Sequence, residues 1–132
     1  MTASERQALI DAAIQAAANA YIPYSDYPVG AALKTPAGKV FTGCNIENAS
    51  YPATICAERT ALVKAVSEGE RQFDTLVVAT RNGGSPCGVC RQMLFEFAPE
   101  LDVLIVDMTG QLHHEIRLDQ LLHLGFSPSK LD

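Results

Sequence analysis

The sequence predicts an α/β fold in which one mixed sheet of five strands carries helices on its faces. Two observations predict it. Helix-like and strand-like stretches alternate in the order α-β-β-α-β-α-β-β, and such alternation lays helices over a single sheet. Residues 75–80 and 102–107 are short, nearly continuous apolar runs, the mark of strands buried on both faces. Strand–loop–helix crossovers lead into both runs, so the central strands should be parallel, and the hairpins at either end should add antiparallel strands. With 132 residues, 48% of them hydrophobic, the chain is long enough for one domain over residues 1–132 with a substantial core.

Residues 4–20 read as the first helix. Leu9, Ala13, Ala16, Ala17 and Ala20 recur at helical spacing, Ser4 is the expected cap, and the alanine-rich face should lie close against the sheet. Tyr21-Ile22-Pro23-Tyr24-Ser25-Asp26-Tyr27-Pro28 holds two prolines and cannot continue the helix, so it forms an aromatic-rich loop. Residues 29–34 and 39–44 read as strands joined by the turn Thr35-Pro36-Ala37-Gly38. A polar loop, 45–52, leads to a second helix over 56–68, which Gly69 ends. Strand 75–80, loop 81–86 and a third helix over 87–97 follow. Pro99 comes after that helix, then strand 102–107, the turn Met108-Thr109-Gly110-Gln111 and strand 112–116. The tail holds one short helix, and no repeat, linker or low-complexity tract interrupts the chain.

A net charge of −5 argues against a nucleic-acid backbone as ligand, since phosphate binding needs a basic patch. No apolar run reaches the roughly 18 residues of a membrane span. The polar start, Met1-Thr2-Ala3-Ser4-Glu5-Arg6, lacks the charged-then-apolar order of a signal peptide, so a cytoplasmic location is expected. Four cysteines in such a chain read as metal ligands or free thiols rather than disulfides.

Three of them have metal-like spacing. Cys56 opens one helix in Thr54-Ile55-Cys56-Ala57-Glu58-Arg59. Cys87 and Cys90 open another in Ser85-Pro86-Cys87-Gly88-Val89-Cys90-Arg91. One helix–strand–helix unit separates them, and in a parallel sheet both helices begin at the edge where the preceding strands end. The three sulfurs can therefore meet. Helix N-termini favour thiolate. Zinc prefers four ligands, so three from the protein leave a position for water, as a catalytic site needs. Two helix N-termini and Arg59 can offset part of the excess negative charge, and Glu58 can move protons beside the open position.

Other readings stand beside this one. C-x-x-C alone is weak, and fits a redox dithiol or half of a structural zinc site. A thioredoxin-like dithiol needs no third cysteine beside a glutamate. A structural site needs a fourth ligand, and His113, His114 and His123 lie far along the chain. Glu58 read alone is a first-turn glutamate favoured by the helix dipole. Cys44 follows an apolar strand and reads as a buried free thiol. The tyrosines of the 21–28 loop can equally pad the core edge.

With these residues in place, the chain resembles the small homotetrameric zinc-dependent cytidine deaminases of the three-cysteine branch. The resemblance covers nearly the whole chain. It rests on Tyr27-Pro28-Val29-Gly30-Ala31-Ala32, Gly43-Cys44-Asn45-Ile46-Glu47-Asn48, Cys56-Ala57-Glu58-Arg59-Thr60-Ala61 and Pro86-Cys87-Gly88-Val89-Cys90-Arg91-Gln92. The Cys-x-Glu then Pro-Cys-x-x-Cys layout is that of zinc deaminases.

The resemblance implies a three-layer α/β/α fold and one zinc per chain, held by Cys56, Cys87 and Cys90. Glu58 would be the catalytic proton carrier, and the substrates would be cytidine and deoxycytidine, in pyrimidine salvage. Asn45 and Glu47 would hold the ribose 3′-hydroxyl, and the Ala57 carbonyl would accept from the exocyclic amine. Tyr27 would stand beside the base, where the family usually has phenylalanine. Arg59 would hydrogen-bond zinc-bound sulfur. Tyr51 would reach a neighbouring subunit's site near the 5′-hydroxyl, and Phe126 would stack on a neighbour's pyrimidine. Pro52-Ala53 departs from the glycine-containing sequence expected after Tyr51. The nearest alternative is another aminohydrolase of the same fold, such as a blasticidin-type deaminase, which need not share the Asn45–Asn48 loop. A structural-zinc module without activity is the alternative from a different class.

Overall fold

In the computed structural model, which describes residues 1–131, Thr2 rather than Ser4 caps the first helix. Thr2-x-x-Glu5 closes a capping box. The Thr2 hydroxyl accepts the Glu5 N–H, and the Glu5 carboxylate accepts the Thr2 N–H. The Ser4 hydroxyl lies 3.2 Å from that of Thr2 instead. Helix α1 spans Ala3–Ala16 and tightens into a 3-10 turn, Ala17–Asn19, short of the expected Ala20.

Strands β1 (Gly30–Lys34) and β2 (Val40–Cys44) form the first hairpin. The polar loop after it contains a 3-10 turn, Tyr51–Ala53, that its sequence does not announce. Helix α2 spans Ala57–Ser67 with Cys56 as its cap residue. It ends where the Gly69 N–H donates to the Val66 carbonyl and the Glu70 N–H to that of Ala65, the pair of bonds that glycine after a helix permits. Strand β3 (Thr75–Thr80), helix α3 (Gly88–Phe95, capped by Cys87), strand β4 (Asp102–Asp107) and strand β5 (Leu112–Arg117) follow. A short helix α4 (Leu118–Leu121) and a 3-10 turn Pro128–Leu131 complete the described chain.

The sheet order is β2-β1-β3-β4-β5. β3 and β4 are parallel, from Thr75 beside Asp102 to Thr80 beside Asp107. β1 is antiparallel to both β2 and β3, so β2 runs parallel to β3 across it. β5 is antiparallel to β4. Both crossovers, β2–α2–β3 and β3–α3–β4, step the same way across the sheet. One handedness therefore puts α2 and α3 on one face.

Strand alternation sorts the core accordingly. Ala31, Leu33, Leu76, Val78, Val103 and Ile105 face α2, α3 and α4. Ala32, Val77, Ala79, Leu104 and Val106 face Leu9, Ile10 and Ala13 of α1. The result is three layers, α/β/α.

Two glycines let the helices sit against the sheet. A Cβ on Gly30 would stand 1.9 Å from the Ala13 carbonyl oxygen of α1, so the alanine-rich face does lie against β1. A Cβ on Gly43 would stand 2.5 Å from the Ala57 carbonyl oxygen of α2. Cys44 is half-buried rather than buried, because β2 is an edge strand. Among the described residues, no helix is long and apolar enough to cross a membrane.

Candidate active site

β2 and β3 end at the same edge of the sheet, and the helices that follow them begin there. Cys56 caps α2, Cys87 caps α3, and Cys90 lies one turn into α3. The Cys56 and Cys87 sulfurs are 3.8 Å apart, those of Cys87 and Cys90 are 3.4 Å apart, and all three lie within 4.8 Å of one another. Tetrahedral zinc holding thiolates at about 2.3 Å keeps its sulfurs about 3.8 Å apart, so the cluster has the dimensions of a metal site. Cys44 and the three histidines are not part of it.

The surroundings favour thiolate. Neither α2 nor α3 has a side-chain cap for its first N–H groups, which leaves both positive helix ends beside the sulfurs. Arg59 Nη2 lies 3.3 Å from Cys56 Sγ and 3.5 Å from the Thr54 carbonyl oxygen. Hydrogen bonding from Cys90, with the Arg59 guanidinium behind it, draws the Cys56 thiol down to about 5. The same hydrogen bond, together with burial, pushes Cys90 up. One thiol is thus protonated toward a neighbouring thiolate, and a metal replaces such shared protons with a cation.

Glu58 lies in the first turn of α2, only 3% exposed. Its Oε1 is buried with no hydrogen-bond partner. Burial pushes the carboxyl up to about 7, and a group that titrates near neutrality is suited to both giving and taking a proton. Glu58 and two of the three cysteines, Cys56 and Cys87, line one cavity of about 420 Å³, and Cys90 is buried. The donor set and the buried acceptor both fit a zinc ion with one exchangeable position.

The same cavity is lined by Tyr27, Asn45, Glu47 and Ala57. The Asn45 carboxamide bridges the loop before β1: Nδ2 donates to the Tyr27 carbonyl at 2.8 Å, and Oδ1 accepts the Val29 N–H at 2.9 Å. Glu47 Oε1 accepts the N–H groups of Tyr24 and Ser25 at 3.0 and 3.1 Å. Hydrogen bonding from Ser25 and the Tyr24 backbone holds that carboxyl below its ordinary value. The Ala57 carbonyl lies beside the Ala61 N–H, against Gly43, because α2 directs its carbonyls away from the cavity end. What Ala57 brings to that end is its uncapped N–H.

Tyr51 is exposed and packs edge-on against Tyr24, with ring centroids 5.7 Å apart. It lines a second cavity of about 290 Å³ that shares Ser25, Glu47 and Thr54 with the first. Phe126 is 55% exposed and outside both cavities of its own chain, and its carbonyl accepts from Gln92 Nε2 at 3.0 Å.

Two further residues, Arg91 and Asn82, hold the loops around the site. Arg91 ties the approach to Cys87 to the tail. It donates to the Pro86 carbonyl, the Ser85 hydroxyl and the Leu121 carbonyl. Asn82 accepts from the Tyr27 hydroxyl. The neighbouring Cys90-Arg91-Gln92 run pointed to Arg91; nothing pointed to Asn82.

The profile described as "Cytidine and deoxycytidylate deaminase zinc-binding region" matches residues 3–105. A cytidine deaminase of Halalkalibacterium halodurans is 45% identical over 131 residues, covering 97% of this chain and 98% of the relative. A blasticidin-S deaminase of Bacillus cereus is 37% identical over 109 residues, covering 75% and 76%. The crystal structure of cytidine deaminase from Burkholderia pseudomallei superposes with a TM-score of 0.87 at 45% identity, covering 96% of this chain and 100% of that one.

Proposed function

The chain belongs to the family of cytidine and deoxycytidylate deaminases with a zinc-binding region, and from that premise we propose that it hydrolyses cytidine and deoxycytidine to uridine and deoxyuridine, releasing ammonia. The observation that carries this reading is the buried Glu58 carboxyl, its Oε1 without a partner, lining one cavity with Cys56 and Cys87. Cys56, Cys87 and Cys90 hold one zinc per chain, and Arg59 moderates the charge on Cys56. Zinc bound there supplies an acidified water as nucleophile, its pKa drawn toward about 7. Glu58 would take one proton from the attacking water and deliver it to N3 of the pyrimidine as the oxygen adds to C4. Glu58 would then take the remaining proton from the C4 hydroxyl and pass it to the exocyclic nitrogen, and the C4–N bond breaks as the C4 carbonyl forms, releasing ammonia.

The cavity also discriminates within the family. Its charged lining residues are Glu47 and Glu58, and no lysine or arginine among the described residues lines it or the adjoining cavity. A 5′-phosphate would meet acidic groups and no counter-charge, so the substrate is the neutral nucleoside rather than the nucleotide. Asn45 keeps one N–H, and Glu47 its second oxygen, for the ribose 3′-hydroxyl. Tyr27 supplies an aromatic wall for the base, and the Ala57 N–H a donor. This sugar-directed pair favours a nucleoside over a blasticidin-type substrate.

Tyr51 and Phe126 act on the site of a neighbouring subunit in a homotetramer, a reading supported by their exposure in the single chain. Thiolate ligands suit the reducing cytoplasm, and the reaction serves pyrimidine salvage. Ammonia release by zinc-replete protein should be measured with cytidine, deoxycytidine, deoxycytidine 5′-monophosphate and blasticidin S. Turnover of the two nucleosides is expected. A protein that is zinc-loaded yet inert toward both nucleosides is a structural module or a different aminohydrolase.

A further inference from the structure

We propose that Asn82 is a positioning residue for the pyrimidine wall, acting through the hydroxyl of Tyr27; this rests on the reading of the cavity as a nucleoside site. Tyr27 lies in the loop before β1, and Asn82 in the loop between β3 and α3. The Tyr27 hydroxyl donates to Asn82 Oδ1 at 2.5 Å, and the Arg81 guanidinium lies 4.9 Å from the centre of the Tyr27 ring. Tyr27 lines the cavity and Asn82 does not. The hydroxyl is therefore spent on a support outside the pocket, while the ring remains as its wall.

The support is itself fixed. The Gly84 N–H donates to the buried Thr80 hydroxyl at 2.8 Å. His113, held 2.8 Å from Asp107 Oδ2, packs so closely on Gly83 that a Cβ there would stand 2.7 Å from its ring. The backbone end of Tyr27 is held too, by Ser25 Oγ accepting its N–H and by Asn45 Nδ2 donating to its carbonyl. A tyrosine anchored at both ends cannot sweep its side-chain torsions, so the flat wall stands ready before the base arrives. Such preorganisation lowers the cost of binding. Base and wall stack alike in the ground and transition states, so the effect falls on KM and not on kcat.

The test is steady-state kinetics with cytidine on zinc-replete Asn82→Ala, Asn82→Asp, Tyr27→Phe and the Asn82→Ala/Tyr27→Phe double variant, with zinc content measured on each. Asn82→Ala and Tyr27→Phe should each raise KM by about two- to tenfold, the range of one neutral hydrogen bond. Their kcat and zinc content should stay as in the wild type. Asn82→Asp keeps the acceptor and should restore the wild-type KM. The double variant should be no worse than either single one, since both remove the same bond. An unchanged KM in Asn82→Ala, a matching fall in kcat or zinc, or multiplying effects in the double variant overturns the inference. A wild-type protein inert toward cytidine overturns the functional reading first, and the inference with it.

Discussion

Glu58 is a carboxyl that its own chain leaves unsatisfied. Its Oε1 is buried without a partner, beside three sulfurs. Burying an unpaired polar atom is costly, and a site that accepts this cost has a use for the atom. Glu58→Gln keeps the shape and removes the ability to carry a proton. It should retain zinc and fold and lose about 10²–10⁴-fold in kcat, the usual worth of a general acid–base group. Near-normal turnover by zinc-loaded Glu58→Gln protein would remove Glu58 from the mechanism. The sulfurs make a separate prediction. Cys87→Ala should lose zinc and melt at a lower temperature, because metal affinity is also folding free energy. Cys44→Ala should keep its zinc, since Cys44 stands outside the cluster. Metal analysis with thermal melts checks both, and loss of zinc from Cys44→Ala alone would mean the wrong ligand set. The sulfur cluster and Glu58 were legible in the sequence because helix-start spacing fixes where those side chains can go. The Tyr27 hydroxyl was not, since its partner comes from a loop 55 residues on. The Ala57 carbonyl points up the helix whether α2 begins at residue 56 or 57, so the helix itself turns it from the cavity end.

At the scale of elements, strands 75–80 and 102–107 were legible to the residue, because both are buried on the two faces of the sheet and their composition shows it. Helix ends were less legible. The α1 cap moved to Thr2 because a reciprocal pair of bonds with Glu5 outweighs the single hydroxyl of Ser4. Both catalytic-edge helices begin one residue after their cysteine, which places Cys56 and Cys87 in extended backbone at the cap. The seating of α2 depends on a feature with no sequence signature of its own, the missing side chain of Gly43. Gly43→Ala would press a methyl group against backbone atoms Ala57 O and Ala61 N, at 2.5 and 2.6 Å. Backbone cannot rotate away, so the start of α2 must lift. A loss of about 1–3 kcal/mol is expected from such overpacking. Because Cys56 caps that helix, zinc should also dissociate more readily on dialysis against a chelator. A Gly43→Ala protein with wild-type melting temperature and zinc retention would show that α2 does not rest on β2 in this way.

On the scale of the whole molecule, the tail poses the question of what lies over it. Leu124 is 91% exposed and Phe126 is 55% exposed, with Gln92 and Arg91 of α3 holding the tail backbone in place. A tail phenylalanine is ordinarily a plug for its own core, and Phe126 is not buried there. A pyrimidine needs an aromatic or apolar face, worth about 1–3 kcal/mol per base by analogy with stacking in nucleic-acid sites. Tyr27 offers one such wall from within the chain, and a second from a neighbour's Phe126 would complete the pocket only in an oligomer. Mixing distinguishes service to a neighbour from service to the same chain. Phe126→Ala chains and Glu58→Gln chains are each defective alone, one in binding and the other in proton transfer. When subunits exchange, a pocket built from the Glu58 of one chain and the Phe126 of another is native in both respects. Activity of the mixture should then exceed the sum of the parents, with subunit exchange verified by differently tagged chains. If exchange occurs and no activity returns, Phe126 does not complete a neighbour's site, because every chain still lacks one of the two groups.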